Sequence, residues 1–274
     1  MTNVHSGPMA LLRAFSTLGC PELSLDEALD LAARHGLDAI ELRALGGTVD
    51  LPAYLATQFG TPAALAARLR GVRVRVIALD TSLHLIGSTA VERTSLLDFV
   101  PWAEALGVRR LRVFDGGRAA DATELAEATE TLGWWQGVRR ERGWTADLMV
   151  ETHDSLFTAA AIARFLAAAP GTAILWDSHH TWKRGGEDPV ATWRAIHASV
   201  VHIHVKDSIS VPSARHPYTY LPPGLGEFPA AALFAALRAD GFAGPVSLEW
   251  ELMWHPYLSP LEDALGVAAE RGWW

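Results

Sequence analysis

The sequence predicts one (β/α)8 barrel spanning residues 1–274, on three observations. The chain has 274 residues, close to the roughly 250 typical of such a barrel. One local unit recurs along it: an Ala/Leu-rich amphipathic stretch, a Gly, then a short apolar run, as in AARHGLDAIELR (32–43), ARLRGVRVRVIALD (67–80), AEALGVRRLRVFDGG (103–117) and ALRADGFAGPVSLEWE (236–251). No Ser/Gly/Pro-rich linker divides the chain, and STLGCPELS (16–24) after the first apolar run is not the Gly-rich phosphate loop of an open doubly wound sheet.

Each element follows from local chemistry. The Gly in the repeated unit suits the left-handed position that closes a helix, and the apolar run after it suits a buried parallel strand. Ser24-Leu25-Asp26-Glu27 reads as a capping box, and Thr61-Pro62 places Pro in a first helical turn. A first strand near 11–16 and further strands at 148–152, 173–177 and 201–205 complete eight, alternating with about eight helices. Such alternation implies parallel strands joined by right-handed crossovers.

Composition excludes several classes of function. The formal net charge of −8 disfavours nucleic acid and anionic lipid as partners, and no Lys/Arg run exceeds Arg139-Arg140. Cys20 is the only cysteine, so neither an internal disulfide nor a cysteine zinc cluster can form. Together with an N-terminus lacking a secretory pattern, this points to a cytoplasmic protein. No apolar stretch is long enough to span a membrane.

Ionisable residues interrupt the later strands near their ends, where barrels place their chemistry. Period-two alternation assigns their faces. In the seventh strand Val201, Ile203 and Val205 go outward, so His202, His204 and Lys206 point inward. In the eighth, Val246 and Leu248 go outward, leaving Ser247, Glu249 and Glu251 inward. In the fifth, Leu148 and Val150 go outward, while Glu151 and His153 point inward. The sixth ends Trp176-Asp177-Ser178-His179-His180. Four consecutive strands thus aim carboxylates or imidazoles at one mouth, where a metal ion offsets repulsion and desolvation. Singly, a strand-end Glu is more often a salt-bridged surface group and an inward His a hydrogen-bonded core residue.

The donor set Glu151, Asp177, His204 and Glu249 suits one divalent ion, Mn²⁺ or Mg²⁺ first and Co²⁺ or Zn²⁺ as alternatives. His202 can replace His204 and Glu251 can replace Glu249. Glu249 is preferred as the first after its apolar run, and His204 as nearer its strand end.

STLGCPELSLDEAL (16–29) with ELR (41–43), RVFDGG (112–117), ETHD (151–154), WDSHHTW (176–182), HVKD (204–207) and SLEWE (247–251) follow one another in a spacing that resembles the sugar phosphate isomerase/epimerase family. These are the xylose-isomerase-like barrels, which also include inosose dehydratases and endonuclease IV. The resemblance implies metal ligation by Glu151, Asp177, His204 and Glu249, with the two glutamates as acid and base. It points to His180 as a ligand of substrate oxygens. Glu41, Arg43 and Arg112, inward by alternation, read as substrate contacts or as a salt bridge inside the barrel. Lys206 and His153 belong to the same substrate-side group. An endonuclease IV-like function is disfavoured, although His84, His180 and His202 invite it, because the fourth strand ends without a histidine and the chain is acidic.

The expected activity is a metal-dependent isomerase or epimerase of a keto sugar or polyol, phosphorylated or not. A lyase acting on a cyclic polyol, a 3-dehydroshikimate-like acid or a 3-keto glycoside is the alternative. A non-catalytic sugar-binding barrel has little use for two inward glutamates. Leu221–Glu227 reads as a turn into a helix near Pro229, or as an anion loop. Of the eleven tryptophans, Trp176, Trp250 and Trp254 are expected to offer stacking faces at the mouth. Trp134, Trp135, Trp273 and Trp274 are expected to pack helices or an interface, and the Gly-Trp-Trp terminus hints at a homo-oligomer.

Overall fold

The computed structural model describes residues 10–274. Eight parallel strands close into a barrel in the order β1 (Leu12–Ser16), β10 (Pro245–Leu248), β7 (Val200–Val205), β6 (Ala173–Asp177), β5 (Asp147–Glu151), β4 (Arg110–Gly116), β3 (Arg75–Ile86), β2 (Ala39–Leu42) and back to β1. The remaining two, β8 (Ser208–Ile209) and β9 (Thr219–Tyr220), form a small antiparallel pair in the connection after β7.

Ten α-helices lie among the described residues, more than the sequence pattern led us to expect. The surplus sits in two connections. Between β2 and β3 the chain forms α2 (Leu51–Phe59) and α3 (Pro62–Arg68), separated at Gly60-Thr61. Between β6 and β7 a short α7 (Ser178–Lys183) precedes α8 (Pro189–Ile196). The sequence signals for the helix ends hold. Ser24 and Glu27 form a reciprocal capping box on α1 (Leu25–Arg34), and Thr61 caps α3 ahead of Pro62. Gly107, at φ +68°, closes α4 (Ala90–Leu106) in the left-handed region that favours glycine.

Alternation sorts the strand residues into two cores. Phe15, Ile40, Leu148, Val150, Ile174, Trp176, Ile203, Val205, Val246 and Leu248 belong to the layer between barrel and helices. Ala78, Met149, Ala173 and Leu175 form a separate apolar plug inside the barrel. A register irregularity between Ile174 and Leu175 corrects one expectation: Val200 joins the outer layer, and Val201 packs against the interior plug. From His202 onward the expected faces hold.

Trp135 is buried against Trp144, with ring centroids 6.0 Å apart. Trp273 is buried on Phe234 at 5.3 Å and touches Trp274 at 5.5 Å. The terminal tryptophans therefore pack within the chain, Trp273 buried and Trp274 in part. No helix among the described residues is long and apolar enough to cross a membrane.

Candidate metal centre and active site

Glu151 ends β5, Asp177 ends β6, His204 is the penultimate residue of β7, and Glu249 directly follows β10, one residue beyond the strand's end. One ligand atom from each lies within 4.8 Å of all the others, and all four residues are buried. Glu151 Oε1 and Glu249 Oε2 each stand 3.3 Å from His204 Nδ1. His202 and Glu251, the alternatives in the sequence, lie outside this group.

The group fits a divalent ion on the chemistry of its donors. Both oxygens of Glu151, Oδ2 of Asp177 and Nδ1 of His204 are buried without a well-directed hydrogen bond. Arg112 and Lys206 offset two of the oxygens as ion pairs, and a cation relieves the carboxylates crowded there. Asp177 divides its oxygens. Oδ1 caps α7 by accepting the amides of His179 and His180, each at 2.9 Å. Oδ2 is left for the cluster.

Behind His204 lies a support that the sequence did not reveal. Glu41 Oε1 is 2.7 Å from His204 Nε2, and Glu41 Oε2 is 2.9 Å from His202 Nε2 and 3.1 Å from Ser247 Oγ. Assigning the Nε2 proton of His204 to Glu41 turns the Nδ1 lone pair toward the three carboxylates, as carboxylate–histidine pairs do behind metal ions. Glu41 is fully buried with its carboxylate so engaged, which favours the interior ion pair over the substrate contact.

Arg112 is engaged in the same way. It is buried, with Nε 3.2 Å from Glu151 Oε2, Nη2 3.8 Å from Asp80 Oδ2 and Nη1 donating to the carbonyl of Thr81. Asp80 itself escaped the sequence reading. It interrupts the apolar run VIAL (76–79) as the other strand-end acids do, and that signal could have found it. Burial, and then Glu41, push Asp80 up to about 8.

Lys206 anchors the upper rim. Its buried Nζ lies 2.8 Å from Asp177 Oδ2, 2.5 Å from Glu249 Oε2 and 2.5 Å from Glu251 Oε1. Burial works to raise both acids, but Lys206 and His204 hold Glu249 well below the usual carboxylate range. Lys206 and the hydrogen bond to His255 likewise bring Glu251 down to about 2. In Asp177 burial prevails over Lys206 and takes the carboxyl up to about 6. His180 turns Nδ1 to Asp177 Oδ2 at 3.1 Å, and its ring stands 5.0 Å from that of half-buried His153. His153 in turn lies 4.7 Å from the ring of Phe114. Arg43, 6% exposed, donates from Nη1 to Ser82 Oγ at 3.0 Å.

Two of the three tryptophans expected at the mouth are elsewhere. Trp176 is fully buried with Nε1 on Thr181 Oγ1, and Trp250 is buried with Nε1 on the carbonyl of Ser259. Trp254 alone is exposed, at 39%.

The loop after β7 is a turn rather than an open anion cradle. The carboxylate of Asp207 accepts the amides of Ser208, Gly224, Gly226 and Phe228 at 2.8–3.0 Å. A Cβ on Gly226 would stand 2.2 Å from Asp207 Oδ1, so only glycine admits this approach. Asp207→Ala leaves several amides without their acceptor and is expected to destabilise the fold by about 2 kcal/mol or more. Thermal unfolding and hydrogen exchange at residues 224–228 measure this; unchanged protection there would refute the anchoring role.

Asp115 does the same for the loop after β5. Its oxygens accept the amides of His153, Asp154, Ser155 and Leu156. The grouping of Asp115, His153 and Asp154 is thereby explained as a loop anchor.

Comparison with known proteins places this geometry. A search of curated proteins finds no match. Among solved structures, the probable 3-DHS dehydratase AsbF of Bacillus anthracis is 18% identical with a TM-score of 0.75, over 94% of this chain and 99% of that one. The IolI protein, solved with a bound zinc atom, is 18% identical with a TM-score of 0.73, over 96% of each chain. The 3-keto-D-glucoside 4-epimerase YcjR of E. coli is 15% identical with a TM-score of 0.68, over 96% of this chain and 99% of that one. At these identities the likeness speaks for the fold. The family model described as xylose isomerase-like TIM barrel matches residues 29–273, nearly the whole barrel and all four clustered donors, and the chain belongs to that family.

Proposed function

We propose that the protein is a divalent-metal-dependent isomerase or epimerase of a keto sugar or polyol. The observation that carries this is the convergence of Glu151, Asp177, His204 and Glu249, with the two glutamates on either side of His204. These four residues would hold the ion, with Mn²⁺ or Mg²⁺ favoured by a donor set of three carboxylates and one imidazole. When bound, the ion supplies Lewis-acid stabilisation of negative charge developing on the substrate oxygens.

The remaining work falls to the chain. Glu151 and Glu249 come from strands separated by β6 and β7, so they reach a substrate in the mouth from two sides. One takes the proton beside the carbonyl and the other returns it. Return to the same carbon gives an epimer; return to the neighbouring carbon gives an isomer. Arg112 steadies Glu151 from below, and Lys206 fixes Glu249. His180 and His153 line the substrate side. The same pair can protonate a departing hydroxyl, which is the basis of the lyase reading.

A screen of ketoses and inososes with metal-loaded protein, followed by turnover in D₂O, tests the proposal. Deuterium is expected at the carbon next to the carbonyl, in a product with the substrate's connectivity changed only by epimerisation or isomerisation. A product that has lost water and gained conjugated absorbance identifies the lyase instead. Glu151→Gln should lower both exchange and turnover by roughly 10²–10⁴. Full turnover in that variant would overturn the two-glutamate mechanism.

A further inference from the structure

The mouth contains one cation that the metal-centre reading does not use. Lys206 touches three carboxylates and Arg112 touches two. Arg43, nearly as buried, forms no ion pair among the described residues. Its recorded bonds run from Nη1 to Ser82 Oγ at 3.0 Å and to the Asp80 carbonyl at 3.4 Å. Burial and then the neighbouring Arg112 push its guanidinium down to about 10, which leaves it charged at neutral pH. Asp80, Glu151 and Glu249 favour its charge from further off, but none lies within ion-pair distance. An anion brought into direct contact by a ligand relieves the remaining cost of burial.

The surroundings are those of a binding surface. Arg43 follows β2, which stands four places from β6 in either direction around the barrel, so it faces the Asp177 side across the mouth. Ser82 beside it is exposed, and its hydroxyl hydrogen remains free to donate after Oγ accepts from Arg43. The half-buried ring of Phe114 lies between, 5.8 Å from the Arg43 guanidinium carbon and 4.7 Å from the His153 ring. A molecule resting on Phe114 can present one end to the metal ligands and the other to Arg43.

The kind of anion follows from what else the mouth offers. Phosphate sites in these barrels draw on runs of backbone amides after the later strands. Two such runs here are filled from within, residues 224–228 by Asp207 and residues 153–156 by Asp115. One guanidinium fork and one hydroxyl match a single carboxylate.

We propose that Arg43 and Ser82 form a carboxylate subsite, so that the substrate is a polyhydroxylated carbonyl acid rather than a neutral or phosphorylated sugar. This rests on the reading of the metal centre as the reacting end.

D-galacturonate, D-galactose and D-galactose 6-phosphate share one ring and differ at a single carbon. Calorimetric titration of manganese-loaded protein with each is the test. Galacturonate is expected to bind roughly tenfold or more tighter than both others. Arg43→Gln should erase that preference, and Arg43→Lys, which keeps charge and stem, should retain part of it. Tightest binding by the phosphate, no preference for galacturonate, absence of galacturonate binding, or a preference that survives in folded Arg43→Gln overturns the subsite. Manganese content of Asp177→Ala separates the two readings. Full content there overturns the metal centre whatever Arg43 does, whereas lost content with no galacturonate preference in the wild-type protein overturns the subsite alone.

Discussion

A loss of roughly a hundredfold or more in divalent-metal affinity is the expected result of Asp177→Ala. The substitution removes one of three clustered carboxylates and the partner of Lys206 Nζ at 2.8 Å. It also removes the cap of α7, worth about 1 kcal/mol, because Oδ1 accepts the amides of His179 and His180. Asp177→Asn separates the two effects. Its amide oxygen can keep the cap while the charge facing the cluster is gone. Metal content and chelator competition should therefore fall in both variants, and the unfolding temperature should fall mainly in the alanine variant. Wild-type metal affinity in Asp177→Asn would remove Asp177 from the ligand set.

Glu249→Gln should lower kcat by roughly 10²–10⁴, the range for a lost general acid or base, whereas Glu251→Gln should act mainly on KM. Both residues touch Lys206 Nζ at 2.5 Å, so the contrast rests on their other neighbours. Glu249 faces His204 Nδ1 at 3.3 Å. Glu251 instead accepts from the Tyr220 hydroxyl at 3.0 Å and lies 3.4 Å from His255 Nε2, which ties the rim to the β8–β9 connection. Steady-state kinetics and metal content of the two variants decide the matter. A metal-free, inactive Glu251→Gln beside an active Glu249→Gln would reverse the assignment.

Alternation made the barrel and the clustered donors legible, because each strand-end acid or imidazole is flanked by apolar residues that must face the helices. The same rule, carried one residue further, would have placed Trp176 correctly: with Asp177 inward, its neighbour has to point out. Glu41 was legible as inward, but its partners His202, His204 and Ser247 come from the other end of the chain, and single-strand periodicity says nothing about which interior groups meet. The irregularity in the β6–β7 register, which turns Val201 inward, has no sequence signature for the same reason. Asp207 and Asp115 carry no sign of their role in the sequence; only the folded loops show that backbone amides engage them.

The closing seam of the barrel separates the clustered donors from the group that supports them. Three of the four clustered donors lie on β5, β6 and β7, consecutive strands within residues 147–205. Glu249 follows β10, whose outer edge pairs with β1 through Leu12–Pro245 and Phe15–Leu248, contacts between distant parts of the chain. Such contacts carry a large loop-closure cost. Yet β10 also pairs with β7 through Val246–Ile203 and Leu248–Val205, so β5, β6, β7 and β10 form one arc that carries all four donors on the same side of the seam. What the sealed ring adds is the support: Glu41, which holds His204 from behind, lies on β2, across the seam from β10.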